Sequence, residues 1–267
     1  MPARPNDAAA FHALHRDFLI LPNAWDAASA RVIQEAGAKA IATSSAAVAW
    51  AHGAPDGNKL EVAKLATVIE EIARVISVPI TCDAEAGYSD DIIQIGETIT
   101  RLVNAGAVGI NLEDGKAPHE LHVRKIEAAR AAAERAGVDL FINARTDVVL
   151  KQLVPSEQVI GETLRRAGAI KSAGANGLFV PGLAKPEEIA AVAEGAGLPL
   201  NVMARPGLPK LAELKALGVK RLSAATAIFN AAMETVRDAA AAFLNEADAE
   251  ALWARRGQPL DYNKLFA

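Results

Sequence analysis

Two carboxylates, Asp83 and Glu85, stand two residues apart at the end of the apolar run Val78-Pro-Ile-Thr81, with Gly87 just beyond. Side chains alternate along a strand, so residues two apart share a face. Asp83 and Glu85 are therefore expected to point at one spot, and Cys82 and Ala84 to point away from it. Two anions on one spot repel, so they need a cation, a shared proton or strong hydrogen bonds. Acids and glycine after a strand also make ordinary solvated turns, so this stretch alone does not decide between a site and a turn.

The rest of the chain must supply the frame. It has 267 residues, 51% hydrophobic and 22% charged, enough for one large α/β core. The net charge is −4 and no basic block stands out, so neither nucleic acid nor an anionic membrane is an expected partner. The single cysteine, Cys82, excludes an internal disulfide and suits a reducing, cytoplasmic setting. Residues 1–11 carry no apolar signal core, and no run approaches the roughly 18 apolar residues of a membrane helix.

A leading helix is expected over residues 6–16, with Asn6 or Asp7 as its cap. Strands are expected at 18–23, 38–44, 78–81, 108–112, 140–144, 177–180, 198–203 and 220–223. Helices are expected at 26–35, 59–76, 90–105, 120–136, 156–173, 186–194, 209–217 and 225–245, several closed by a glycine such as Gly37, Gly106 or Gly174. Strict alternation implies a parallel sheet, and eight strand–helix units predict a (β/α)8 TIM barrel with an extra N-terminal helix, one domain over 1–267. A doubly wound open sheet would want a glycine fingerprint after an early strand, and Pro22-Asn-Ala-Trp-Asp-Ala-Ala28 has none.

A barrel gathers its active site at the C-terminal ends of its strands. There the chain delivers Asn23 and Asp26, then Thr43, Ser44 and Ser45, then Asp56 from a loop. Asp83 and Glu85 follow, then Glu113 and Asp114, Arg145 and Asp147, and finally Asn201. Carboxylates without paired His or Cys are hard oxygen ligands, suited to Mg2+ or Mn2+. Asp83 is the expected direct ligand, with Glu85 and Glu113 acting through water. Such an ion chelates a 2-oxo acid and stabilises an enolate oxygen. Arg145 adds positive charge beside that oxygen, with Asp147 to orient it. Backbone N–H groups near Ser45 and Ala46 are placed for a substrate carboxylate. Trp25 lines the pocket or the core. Tyr88 either bonds the substrate or packs under its loop.

Leu21-Pro-Asn-Ala-Trp-Asp-Ala27, Thr43-Ser-Ser45, Gly53-Ala-Pro-Asp56, Cys82-Asp-Ala-Glu-Ala-Gly-Tyr88, Asn111-Leu-Glu-Asp114 and Asn143-Ala-Arg-Thr-Asp147 resemble, in order and spacing, the isocitrate lyase/phosphoenolpyruvate mutase superfamily. The resemblance spans roughly residues 15 to 245. It implies a Mg2+-dependent barrel that cleaves or forms C–C bonds, or rearranges or hydrolyses C–P bonds, of 2-oxo acids. It places Asp56, Asp83, Glu85 and Glu113 around the metal, mostly through water. Arg145 falls at the substrate oxygens, and Ser44, Ser45 and Ala46 at the carboxylate. Asp56 is counted with the substrate-binding set beside Trp25, Thr43, Tyr88 and Asn201. It also implies a homo-oligomer, dimer or tetramer, in which the C-terminal segment 225–267 packs on a neighbouring subunit.

The departures from the family pattern shape the expectation. Lyases of the superfamily carry a loop cysteine after strand four that protonates the enolate, but Glu113-Asp-Gly-Lys-Ala-Pro-His-Glu120 has none. Cys82 precedes Asp83 and faces away, so it takes a structural role. The polar residue those enzymes keep after strand six is replaced by Val180-Pro-Gly182. Lys116 and His119, in an expected mobile loop, are the remaining proton donors, while His122 reads as a solvated loop or helix-start residue. His12 and His15 are expected at the surface. The expected function is a Mg2+-dependent C–C lyase or decarboxylase acting on a small 2-oxo or 2-hydroxy dicarboxylate through a metal-bound enolate. The alternatives are a C–P bond enzyme, of phosphonopyruvate hydrolase or mutase type, and a non-catalytic 2-oxo acid binding protein.

Overall fold

The structure is a computed structural model and describes residues 5–246, 249–254 and 260–267. Residues 1–4, 247–248 and 255–259, part of the expected single domain and its C-terminal segment, lie outside the described residues. The chain runs α1 (Pro5–Leu14), β1 (Leu19–Leu21), β2 (Asn23–Ala24), α2 (Ala27–Glu35), β3 (Ile41–Thr43), α3 (Ser45–Ala51), α4 (Val62–Val75) and β4 (Ile80–Asp83). It continues through α5 (Ile92–Asn104), β5 (Gly109–Glu113), α6 (His119–Arg135), β6 (Phe141–Arg145), α7 (Val159–Ser172), β7 (Gly177–Phe179) and α8 (Pro186–Gly195). It closes with β8 (Leu200–Met203), α9 (Leu211–Ala216), β9 (Arg221–Ser223), α10 (Ala227–Glu246), α11 (Ala249–Ala254) and α12 (Tyr262–Phe266).

All strand pairs are parallel, in the order β1-β9-β8-β7-β6-β5-β4-β3-β2. This is the expected (β/α)8 barrel, with nine strands because the first expected strand breaks at Pro22. β1 pairs with β9 and β2 with β3, so the two sheet edges are halves of one chain pass. Pro22 has no N–H to give to a ladder, but its carbonyl accepts from Ala42 N at 3.1 Å. Asn23 ties the seam: its Nδ2 donates to Thr43 O at 2.8 Å and its Oδ1 accepts from Ala224 N at 2.9 Å.

The main core lies between strands and helices. Leu65, Ile69 and Ile72 of α4, and Ile95, Ile99 and Leu102 of α5, recur at helical spacing and are buried. Cys82 joins this core, fully buried and facing the helices. The barrel lumen is polar by contrast. Asn143 Nδ2 and Arg221 Nη2 both donate to Asn111 Oδ1, at 2.9 and 3.2 Å. Below them α1 plugs the barrel, with Phe11 edge-on to Phe141 and His15 stacked on the same ring at 3.8 Å.

His15, expected at the surface, is therefore a core residue. Burial, followed by the charge of Arg221, lowers its pKa to about 3. His12 stays half-buried and bonds Asp139 O through Nε2. The run after the second strand, Ser45-Ala-Ala-Val-Ala-Trp-Ala51, forms helix α3, which its small residues did not announce. A 3-10 turn, Ser156–Gln158, precedes α7, and α1 starts at Pro5, ahead of its expected cap. Among the described residues no helix is long and apolar enough to cross a membrane.

Candidate functional site

The C-terminal strand ends gather the acids, but not as simple alternation predicts. β4 ends at Asp83, and Glu85 lies beyond it with φ of 49°. Asn58 and Tyr88 also sit at positive φ, and both bond Glu85. Asn58 N donates to Oε2, and the Tyr88 hydroxyl donates to Oε1 at 2.9 Å. Left-handed backbone at non-glycine residues costs on the order of 1 kcal/mol each and persists where contacts over-determine it. Here three such residues interlock around one carboxylate. Gly87, at φ of 86°, completes the turn, because a Cβ there would sit 2.4 Å from Ile95 Cδ1. Lys125, 2% exposed, fastens the loop from behind through Ala86 O at 2.9 Å and Asp90 at 2.7 Å.

Asp83 is held from the neighbouring strand. Thr43 Oγ1 accepts from its N–H at 2.9 Å, and Ser45 N donates to its Oδ2 at 3.2 Å. The Ser45 N–H, expected at a substrate carboxylate, is thus directed to Asp83. The other carboxylate oxygen, Oδ1, is buried without a protein partner. Burial raises the pKa of Asp83, Arg145 opposes the rise, and the charge of Asp56 adds to it. Glu85 is raised by burial too, again with Asp83 and Asp56 contributing. Asp56 itself is exposed at the mouth.

Across the site four ions form a ring. Arg145 Nη1 is 2.7 Å from Glu113 Oε2, and its Nε is 2.7 Å from Asp147 Oδ1. Lys151 Nζ is 2.6 Å from Asp147 Oδ2 and 3.8 Å from Glu113 Oε1. Asp147 is fully buried, and its expected orienting contact with Arg145 is present. Burial pushes Glu113 up to about 7, against the pull of Arg145. Burial alone would lower Arg145, but Glu113, Asp147 and Asp83 hold it well above its ordinary value. Phe179 lies under its guanidinium, 5.8 Å from ring centre to Cζ.

Several expected site residues take other places. Asp114 leaves the rim and is buried, accepting from Thr146 Oγ1 at 2.6 Å, Asp147 N at 2.8 Å and Arg166 Nη1 at 2.6 Å. His119 lies in no mobile loop: Pro118 precedes it at the helix cap, and it is the buried first residue of α6. Burial, then Arg166 and Arg165, lower its pKa. His122 is likewise not solvated, at 1% exposure with Nε2 bonded to Leu112 O at 2.9 Å. Lys116 is exposed in the β5–α6 turn. Trp25 meets Phe229 of α10 edge-on at 5.1 Å. Asn201 is fully buried in the lumen and near Ser223 Oγ at 3.4 Å. Asp26 caps α2 through Ser29 N at 2.7 Å. Ser44 and Ala46 are buried beside Asp83's strand end. Sequence reasoning missed Lys151, whose only signal was its position four residues after Asp147.

Among the described residues no three carboxylate, imidazole or thiolate groups stand close enough to hold a metal by themselves. The donor set still fits Mg2+, which keeps most of its waters and takes one or two carboxylates. Asp83 Oδ1 is a buried carboxylate oxygen lacking a partner, whereas Glu85 and Glu113 beside it are bonded.

A family model describing phosphoenolpyruvate phosphomutase matches residues 11–244. An uncharacterized protein of Mycobacterium tuberculosis H37Rv is 33% identical over 238 residues, 87% of this chain and 88% of that protein. An oxaloacetate decarboxylase of Paraburkholderia xenovorans is 27% identical over 237 residues, 83% of this chain and 76% of that one. A crystal structure from Burkholderia cenocepacia J2315, provisionally described as a phosphonomutase, superposes with a TM-score of 0.84. It is 44% identical and covers 87% of this chain and 98% of its own.

Proposed function

Since the chain belongs to the phosphoenolpyruvate phosphomutase family, we propose that it is a Mg2+-dependent lyase, with Mn2+ an alternative ion. It cleaves a C–C bond of, or decarboxylates, a small 2-oxo or 2-hydroxy dicarboxylate through an enolate. The observation that carries this reading is the buried, unpartnered Asp83 Oδ1 at the same strand ends as the Arg145 ion ring. The similarity to an oxaloacetate decarboxylase supports the substrate class.

In this reading Asp83 would hold the ion, with Glu85 and Glu113 reaching it through water. When bound, the ion would supply Lewis-acid stabilisation of negative charge on the substrate's keto oxygen. Arg145 places its guanidinium at that oxygen, kept cationic and aimed by Glu113 and Asp147. When the scissile C–C bond breaks, its electron pair enters the enolate, and the other fragment leaves as CO2 from a carboxylate, or as a carbonyl product once its hydroxyl has given up its proton. The enolate carbon then takes a proton. With His119 buried beside Arg166, Lys116 on the exposed turn is the better placed of the two expected donors.

The protein functions in the cytoplasm as a homo-oligomer, dimer or tetramer. Two faces support the assembly. Ile20 on the outer side of β1 is 55% exposed, and α10 exposes Met233, Val236, Phe243 and Leu244. The C-terminal segment of one subunit covers such a face on the next.

A second reading, C–P chemistry, is favoured by the 44% identity to the Burkholderia protein. The two are separated by offering oxaloacetate and phosphonopyruvate to the wild type and the Asp83→Ala variant with Mg2+. Pyruvate and CO2 from oxaloacetate, lost in the variant, support the lyase. Phosphate release or phosphoenolpyruvate formation from phosphonopyruvate supports C–P chemistry. Binding of both without turnover supports a non-catalytic binding protein.

A further inference from the structure

The ion ring contains one cation that the reading above does not use. Lys151 follows β6 in the loop that leads to α7, one turn past Asp147, to whose carbonyl its N–H donates at 2.8 Å. The loop lies close against the end of β7. Gly182, at φ of 92°, permits this, because a Cβ there would stand 3.1 Å from Val149 Cγ1 and 3.3 Å from Leu150 N. That close approach brings the next residue, Lys151, over the rim. Its ammonium comes within 3.4 Å of where a Cβ of Gly115 would lie, so it stands between the loops after β5 and β6. Its side chain is 30% exposed, against 16% for Arg145 and none for Asp147.

An ammonium has three donors. Asp147 Oδ2 takes one at 2.6 Å, and Glu113 Oε1 at 3.8 Å is too far to take another. The group is therefore fixed in place, flanked by acids, and open toward the mouth with donor capacity to spare. A partly exposed ammonium with unused donors is a good binder of anions. The end of β7, Val180-Pro-Gly182, offers no side-chain charge on that side.

We propose that Lys151 is a specificity-determining residue that binds the distal carboxylate of a 2-oxo dicarboxylate, while the 2-oxo acid end lies toward Asp83 and Arg145. The inference rests on the proposed lyase reading and narrows its substrate to one with a second anionic arm beyond the keto carbon. The β6–α7 loop, through its contact with Gly182, is then the part of the fold that selects substrate length.

The test is calorimetric titration, with saturating Mg2+, of two dianions that differ in that arm. Oxalate lacks it, and 3,3-difluorooxaloacetate carries it. For Lys151→Met, difluorooxaloacetate should bind about tenfold or more weakly, the loss of one charge-assisted hydrogen bond. Oxalate should stay within about twofold, and Lys151→Arg should restore most of the lost affinity. Equal weakening of both dianions would mean that Lys151 acts only through net charge or ring structure, and would overturn the proposal. So would unchanged binding of both. Failure of the wild type to bind oxalate at all would overturn the lyase reading itself, and this inference with it.

Discussion

Arg145 grips Asp147 with two nitrogens, Nε to Oδ1 at 2.7 Å and Nη2 to Oδ2 at 3.2 Å, only two residues along the chain. Asp147 is fully buried and its own N–H is bonded to Asp114, so neither partner is free to turn. The guanidinium is thereby aimed rather than merely present. Asp147→Asn keeps the shape and removes the charge. The expected outcome is a fall of roughly 10- to 100-fold in kcat, as when an orienting partner of a ligand group is lost. KM should change less, and Lys151→Met should show the reverse split. Steady-state kinetics on whichever of oxaloacetate and phosphonopyruvate is turned over checks both.

Glu113 gives the protein a pH signature. Its folded pKa, about 7, lies above the ordinary 4.5, chiefly through burial. The native state then holds a proton that the unfolded chain has released, so this group's contribution is fully present below about pH 4.5 and is lost as pH rises toward 7. The loss is on the order of 3 kcal/mol. Glu113→Gln cannot ionise, so relative to the wild type it should gain stability between pH 5 and pH 8, measured as Tm across that range. Bound Mg2+ favours the ionised form and should shrink the difference.

The lumen carries a third expectation. Arg221 is 1% exposed, and its Nε and Nη1 have no protein partner. Burial lowers its pKa to about 9, with Asp83 resisting. The barrel holds more unpaired buried atoms: His15 Nε2, Thr81 Oγ1 and Asn201 Nδ2. His15 bonds Phe11 O through Nδ1, which makes that nitrogen the donor and leaves Nε2 an acceptor. Donors and acceptors are mixed, which suits water rather than an anion. A high-resolution crystal structure should show ordered waters on Arg221 Nε and Nη1. A dry lumen would contradict this.

Much of this was legible before any coordinates. Alternating apolar runs and glycine stops place every strand pass of the barrel, because each helix and strand carries its own period. Asp83, Glu113 and Arg145 follow from position alone, since each ends a strand. What the sequence hid is what depends on distant packing. Ser45–Ala51 is too small and apolar to separate helix from strand. His15 looks like a surface histidine until Phe141 comes to stack on it. His119 looks mobile because Asp114-Gly-Lys-Ala117 reads as a loop, yet Pro118 opens a helix and Arg166 arrives from α7. Lys151 joins the ring only because its loop lies against Gly182.

The most direct measurement is thermal unfolding of the wild type and Asp83→Ala, with Mg2+ or with a chelator, each with and without oxalate. A ligand at about 100 times its dissociation constant stabilises by roughly 2.7 kcal/mol, on the order of 5 °C for a chain of this size. A metal-dependent enolate pocket at Asp83 gives a shift that needs Mg2+ and oxalate together and vanishes in Asp83→Ala. An oxalate shift that persists in the chelator, or one that survives in Asp83→Ala, would contradict it, as would no shift at all under saturating ligand.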